Sequence, residues 1–307
     1  MTRAMTASGK QSDGGSPRGD RFIRPDWPAP AVVRALITTR HYGVSAAPFD
    51  SFNLGTHVGD DPGAVQSNRM RLRQHVPAEP RWMEQVHGVD CLRLLASDTT
   101  PDSTQSALPV LPALHPLAAL QPSPALTRAD AAVTRDTGVV CAVLSADCLP
   151  VLLCACDGSA VGVAHAGWRG LAGGVIESAL QGLSALGTPA TQVMAWLGPA
   201  ISGARFEVGA EVRAAFLDHA SDDAGAFVQH QTDGQKRSGG EKYLANLYAL
   251  ARARLRRAGV SQVFGGGFCT YLDRERFFSY RRDGRTGRMA SLIWLAPGAD
   301  RGRSMSS

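Results

Sequence analysis

Residues 139–167, VVCAVLSADCLPVLLCACDGSAVGVAHAG, constrain the fold more than any other stretch of the chain. They divide into three short apolar runs, 139–146, 151–155 and 160–167, separated by polar or turn-forming residues. Runs of this length, rich in valine and leucine and bounded by turn signals, read as strands. The step Cys156–Asp157–Gly158–Ser159 between the last two reads as a hairpin-type turn. The stretch is the most apolar in the chain, yet Ser145, Asp147 and Pro150 interrupt it, which argues against a membrane span. Residues 170–187 follow with helical character and Gly187 as a stop, and 62–76 forms a second helical segment. Over 242–260, Leu244, Leu247, Tyr248, Ala251 and Leu255 fall on one helix face, with arginines opposite and Gly259 as the cap. Strands mixed with a few helices predict an α/β or α+β layered domain, and no repeat of 20–50 residues is visible.

A chain of 307 residues with 44% hydrophobic and 19% charged residues can bury a sizeable core. Its formal charge of +5 raises the question of nucleic acid. Much of the excess sits near the ends, in Arg3, Lys10, Arg18, Arg21 and Arg24 and in the final RGRSMSS. No basic run is interleaved with aromatics, so neither nucleic acid nor membrane is expected as a partner. The first residues lack the apolar core of a secretory signal, and six cysteines without framework spacing fit a reducing compartment. A cytoplasmic protein, monomeric or weakly dimeric, is the expectation. Residues 1–27 are expected to be a disordered basic tail, 28–297 a single catalytic domain, and 298–307 a second tail. The Pro/Ala/Leu-rich segment 98–127 reads as an inserted loop and 231–241 as an exposed turn.

An open catalytic zinc site takes three ligands from His, Cys and carboxylate and keeps a fourth position for water or substrate. Three residues qualify best: His87 in WMEQVHGVD, Cys148 after Asp147, and His165 at the end of the third strand-like run. Their spacing forms no local metal motif, and each taken singly fits a core residue better than a ligand. A hairpin between the second and third runs would bring two of them to one rim. Cys91, Cys141, Cys154, Cys156 and Cys269 have no better histidine nearby in sequence and read as core.

With those residues in hand, the chain resembles the laccase-domain or polyphenol oxidase family, also described as purine nucleoside phosphorylases with adenosine deaminase activity. The resemblance is carried by TTRHYGVSAAPFDSFNLGTHVGDDPGAVQSNR (38–69), QVHGVD (85–90), ADAAVTRDTGVVCAVLSADCLPVLL (129–153), GVAHAGWRG (162–170), LGPAISGARFEVGAEV (197–212) and CTYLDRERFFSYRRDGRTGRMASLIWL (269–295). It implies a layered α/β/β/α sandwich with mixed β-sheets and a zinc site on His87, Cys148 and His165. It also implies phosphorolysis of adenosine, inosine and S-methyl-5′-thioadenosine, with deamination of adenosine. Copper is a possible ligand in vitro, since it outcompetes zinc for such donors in general. A four-copper oxidase centre is disfavoured, because the chain has eight histidines and no His-x-His pair.

Phosphorolysis needs a phosphate clamp, for which arginine forks are suited. Arg40, Arg69, Arg169, Arg281 and Arg282 are the candidates. Asn53 could hold a sugar hydroxyl or cap a turn, and Phe277, Phe278 and Tyr280 offer faces for a purine or belong to the core. Deamination would use a metal-bound hydroxide, but the H-x-E and P-C-x-x-C deaminase signature is absent. Asp147 and Glu84 are the candidate proton carriers, with the orientation of a histidine as the alternative role for Asp147. Two rivals stand beside this reading. One is a cysteine hydrolase with Cys148 as nucleophile and His165 as base, acting on cell-wall precursors. The other is a non-catalytic metal-binding protein.

Overall fold

A computed structural model describes residues 21–98, 126–230 and 241–297. Most of the expected tails, nearly all of the 98–127 segment and nearly all of 231–241 lie outside these residues. Phe22–Ile23 (β1), at the end of the expected N-terminal tail, pairs with Val33–Thr38 (β2).

Three sheets form the frame. The largest contains Cys91–Arg93 (β3), Ala131–Thr134 (β4), Leu149–Ala155 (β6), Val161–Ala166 (β7), Val193–Leu197 (β8) and Gln262–Gly265 (β12), in the order β12-β8-β6-β7-β4-β3. Its outer pairs are parallel and its inner pairs antiparallel, so the sheet is mixed. A second sheet joins Cys141–Ser145 (β5) and Met289–Leu295 (β13) in the order β1-β2-β13-β5. Glu207–Gly209 (β9), Phe227–Gln229 (β10) and Lys242–Ala245 (β11) make a small third sheet. The helices are Pro62–Arg73 (α1), Trp168–Gly173 (α2), Val175–Ala185 (α3), Ala210–Leu217 (α4), Leu247–Arg257 (α5) and Tyr280–Asp283 (α6).

Side-chain parity fixes the layers, because successive strand residues face opposite sides. Along β6, Leu149, Val151 and Leu153 pack with Ile176, Leu180 and Leu183 of α3 and with Leu250 and Leu255 of α5. Leu152 and Cys154 face the other way, onto Ile37, Val143 and Ile293 of the second sheet. The far side of that sheet packs Leu36 and Leu292 against Leu72 of α1 and against Phe52 and Leu54. The order is therefore helix, sheet, sheet, helix, as the resemblance implied. Strands covered on both faces have no polar alternation, which is why 139–167 is nearly continuous in apolar residues. Leu152 is fully buried between the sheets. Leu152→Ala is expected to cost about 2–5 kcal/mol through lost transfer energy and a residual cavity. Urea unfolding checks this as a lowered midpoint at unchanged slope.

Two helical expectations are corrected. The 170–187 segment is two helices, since Gly174 adopts φ 103° and breaks the hydrogen-bond ladder between α2 and α3. Residues 242–245 form β11, paired with β9 and β10, and the helix begins only after Asn246. The Asn246 side chain accepts from the Ala249 N–H, an N-cap that terminates the strand and starts α5.

Candidate metal centre and cleft

His165 is the penultimate residue of β7, and Cys148 immediately precedes β6, whose Leu149 pairs with Ala166. The hairpin thus places both at one rim of the large sheet. His87 arrives from the loop before β3, in a left-handed conformation with φ 60°. One ligand atom from each of the three lies within 4.8 Å of the others. His87 Nε2 is 3.8 Å from Cys148 Sγ, and the two imidazole rings meet edge to face at 4.9 Å. Bond lengths near 2.0 and 2.3 Å at a tetrahedral angle put N and S roughly 3.5 Å apart, so the trio fits a zinc-sized ion. His165 is buried, Cys148 half-buried and His87 exposed, which leaves the set open on one side.

Behind the trio sits Asp130, fully buried and immediately before β4. Its Oδ1 is 2.8 Å from His165 Nδ1 and accepts from the His87 backbone N–H at 3.0 Å. Its Oδ2 accepts from the N–H groups of Val86 at 3.1 Å and Gly88 at 2.7 Å. Burial alone would raise this carboxyl, but the hydrogen bonds from His165 and the loop outweigh it and hold the group below the usual range. Burial also opposes ionisation of Cys148, yet His165 and His87 beside it bring the thiol down to about 6. Burial would lower His165, while Cys148 and Asp130 raise it to about 9. Each of the two thus favours the charged form of the other, thiolate for Cys148 and imidazolium for His165. Burial pushes Cys91 and Cys154 up to about 12 and Cys141 higher still, so these thiols are inert. In chelator-stripped protein, iodoacetamide is expected to alkylate Cys148 at a rate that is flat above about pH 6 and falls below it. Mass spectrometry of peptides from a pH series reads this directly.

A cleft of about 120 Å³ opens beside Cys148, lined by Trp168, Ile201, Phe206, Leu247, Tyr280 and Arg281, with Ala146 and Asp147 in its wall. Its lining is almost wholly apolar. Asp147 Oδ1 accepts from Thr270 Oγ1 at 2.6 Å and its Oδ2 from the Arg281 N–H at 2.7 Å, which fastens α6 to the cleft. The carboxylate beside a histidine ring is that of Asp130, 2.8 Å from His165 Nδ1.

The other candidate residues are placed as follows. Arg281 Nη1 donates to the Glu207 carbonyl at 2.7 Å, and Arg169 stacks on Trp168 at 4.5 Å. Arg69 donates twice to the Leu54 carbonyl and lies over the Trp82 ring. Arg40 pairs with Asp50 and belongs to a separate polar cleft of about 310 Å³ with His41, Ser51, Arg274 and Glu275. Arg282 clamps the carbonyls of Thr270, Tyr271 and Phe277. Asn53 is fully buried and ties Gly55, Asp60 and the Arg288 N–H together. Phe277 and Phe278 are fully buried in the core, whereas Tyr280 is 61% exposed on the cleft. Glu84 is exposed.

Four residues that the sequence reading passed over stand at the site: Asp130, Trp168, Phe206 and Arg288. Arg288 Nη1 donates to the Thr286 and Gly287 carbonyls, and its guanidinium sits over Tyr280 at 5.9 Å. Burial lowers its pKa, while Cys148 and Asp147 nearby work in the opposite direction. Partial desolvation and the charges of Arg288 and Arg69 lower the pKa of His57.

Fold and cluster define a class: a four-layer α/β protein whose sheet rim carries a His–Cys–His set compatible with metal binding. Within that class, the chain belongs to the family described as multi-copper polyphenol oxidoreductase laccase, whose family model matches residues 34–296. A Pseudomonas aeruginosa protein named purine nucleoside phosphorylase is 46% identical over 274 residues, 89% of this chain and 98% of its own length. Purine nucleoside phosphorylase YfiH of Escherichia coli is 46% identical over 277 residues, 90% of this chain and 99% of its own. Among solved structures, a Neisseria meningitidis protein matches with a TM-score of 0.75 at 45% identity, covering 91% of this chain and all of that one. YlmD from Geobacillus stearothermophilus matches with a TM-score of 0.73 at 30% identity, over 92% and 98% of the two chains. No helix among the described residues is long and apolar enough to cross a membrane.

Proposed function

We propose that this chain is a zinc-dependent purine nucleoside phosphorylase, cleaving adenosine, inosine and S-methyl-5′-thioadenosine with phosphate and also deaminating adenosine. The observation that carries the reading is the adjacency of the open His87–Cys148–His165 set to an apolar cleft with Arg281 and Arg288 at its border. The relatives' name supports the phosphorylase, and the deaminase component rests on the family resemblance. Two imidazoles and one thiolate with an open position are a donor set suited to catalytic zinc. Bound there, zinc would supply Lewis acidity to an oxygen of substrate or water.

The chain's own residues do the remaining work. Trp168, Phe206 and Tyr280 offer the purine an apolar, aromatic slot. Arg288, with Arg281 and Arg169, presents positive charge to phosphate, and His57 lies near enough to Arg288 to feel its charge. Phosphorolysis breaks the bond between base and ribose, gives the ribose carbon to a phosphate oxygen and sends the base away protonated. Asp147 serves by fixing α6 and the backbone of Arg281. Arg40, Arg69 and Asn53 shape the loops behind the site.

The test is hypoxanthine release from inosine with and without phosphate, alongside zinc content. Phosphate-dependent release that disappears on chelation supports the reading; zinc-loaded protein with no phosphate-dependent release sinks it. One observation favours a second reading. Cys148, His165 and Asp130 form a nucleophile–base–carboxylate array, which is the arrangement of a cysteine hydrolase. That activity would survive chelators, need no phosphate and be abolished by alkylation of Cys148.

A further inference from the structure

The loop carrying His87 and the strand carrying His165 meet at one buried carboxylate. Three successive N–H groups, from Val86, His87 and Gly88, converge on Asp130, and the left-handed conformation of His87 turns them to the same side. Such a run of amides is a concave anion-binding surface, here filled by a side chain of the protein itself. The same Oδ1 that accepts from the His87 N–H faces His165 Nδ1. A carboxylate only accepts, so the proton of this contact belongs to the imidazole. With Nδ1 carrying that proton, Nε2 is the nitrogen of His165 left for a ligand. Backbone contacts reinforce the arrangement: the His165 N–H donates to the Asp130 carbonyl at 2.7 Å, and the Asp130 N–H donates to the Asp90 carbonyl at 3.1 Å.

We infer that Asp130 is the positioning residue of the metal centre, holding His87 through its backbone and His165 through its ring so that both face Cys148. The inference rests on the metal-binding part of the proposed function. One group controls two ligands that lie far apart in sequence, so its loss disturbs both at once. Partners that orient metal-binding histidines are typically worth about 10–100-fold in metal affinity. Asp130→Asn keeps the volume but removes the charge and replaces one acceptor oxygen with a donor facing N–H groups.

The experiment uses the full chain, stripped of metal and titrated with zinc against a chromophoric chelator. Wild type is expected to bind one zinc tightly, and D130N is expected to bind it about 10–100-fold more weakly. A lower melting temperature for D130N with unchanged zinc affinity of the folded protein would overturn the inference, leaving the metal site itself intact. A wild type that binds no zinc would overturn both this inference and the metal-dependent reading above. A second measurement needs no variant: long-range ¹H–¹⁵N spectra of zinc-loaded wild type with ¹⁵N-labelled histidine. His165 is expected to show a protonated Nδ1 and a metal-shifted Nε2. A metal-shifted Nδ1 would overturn the inference even if D130N failed to fold.

Discussion

Replacing Cys148 by alanine is expected to remove zinc and phosphorolysis together while the fold persists. Cys148 supplies the thiolate of the trio, and its two partners keep their hold on Asp130 without it, His165 through its ring and His87 through its backbone N–H. Removing a ligand should cost more than the 10–100-fold in affinity that an outer partner is worth. Turnover of inosine with phosphate should fall with it, by at least two orders of magnitude on the same reasoning. Stability should change little, because the side chain is half-buried at a rim and its loss opens no enclosed cavity. Elemental analysis, turnover and a thermal melt on one preparation check all three statements. Full zinc content in the variant would mean that His87 and His165 recruit another donor.

The second large effect concerns phosphate. Arg288→Met should raise KM for phosphate about 10- to 150-fold, the equivalent of one charged hydrogen bond of about 1.5–3 kcal/mol. Zinc content should be unaffected. Arg288 is the strongest choice because its guanidinium is half-buried beside Cys148 and Asp147, with Nη1 anchored on its own loop. Arg69 and Arg40 are weaker choices. Arg69 is directed at the Leu54 carbonyl and the Trp82 ring, and Arg40 at Asp50. Arg69→Met should therefore act mainly through stability, and its KM for phosphate should move far less than that of the Arg288 variant.

The strands of 139–167 were legible because burial on both faces leaves a local signature, a continuous apolar run bounded by turns. The helix boundaries were harder to read. Leu244 and Leu247 happen to be three apart, which mimics one helix face although Asn246 between them caps the helix. Polar residues joined by tertiary contact left less trace. Asp130 lies in an ordinary strand-entry sequence, and its partners are 35 and 43 residues away. The aromatic group at 277–280 shows how composition misleads: the two phenylalanines fill the core, and only Tyr280 reaches the cleft. The His–Cys–His set was nominated by residue type and strand ends, and family resemblance singled it out. Spacing alone could not.

Within Gly167–Trp168–Arg169–Gly170, the two glycines act as spacers and the two large residues as probes. A Cβ on Gly167 would stand 2.9 Å from both Cys148 Sγ and His87 Cδ2, and one on Gly170 would stand 2.8 Å from the Gly88 carbonyl oxygen. The first turn of α2 is thus pressed against two of the three donor-bearing segments, and the gap between them is set by the absence of side chains. Trp168, between the spacers, reaches the cleft, and Arg169 stacks on its ring. Four consecutive positions therefore divide the labour of the site. Changes at the glycines are expected to shift the His–Cys–His set, while a change at Trp168 is expected to reshape the neighbouring cleft.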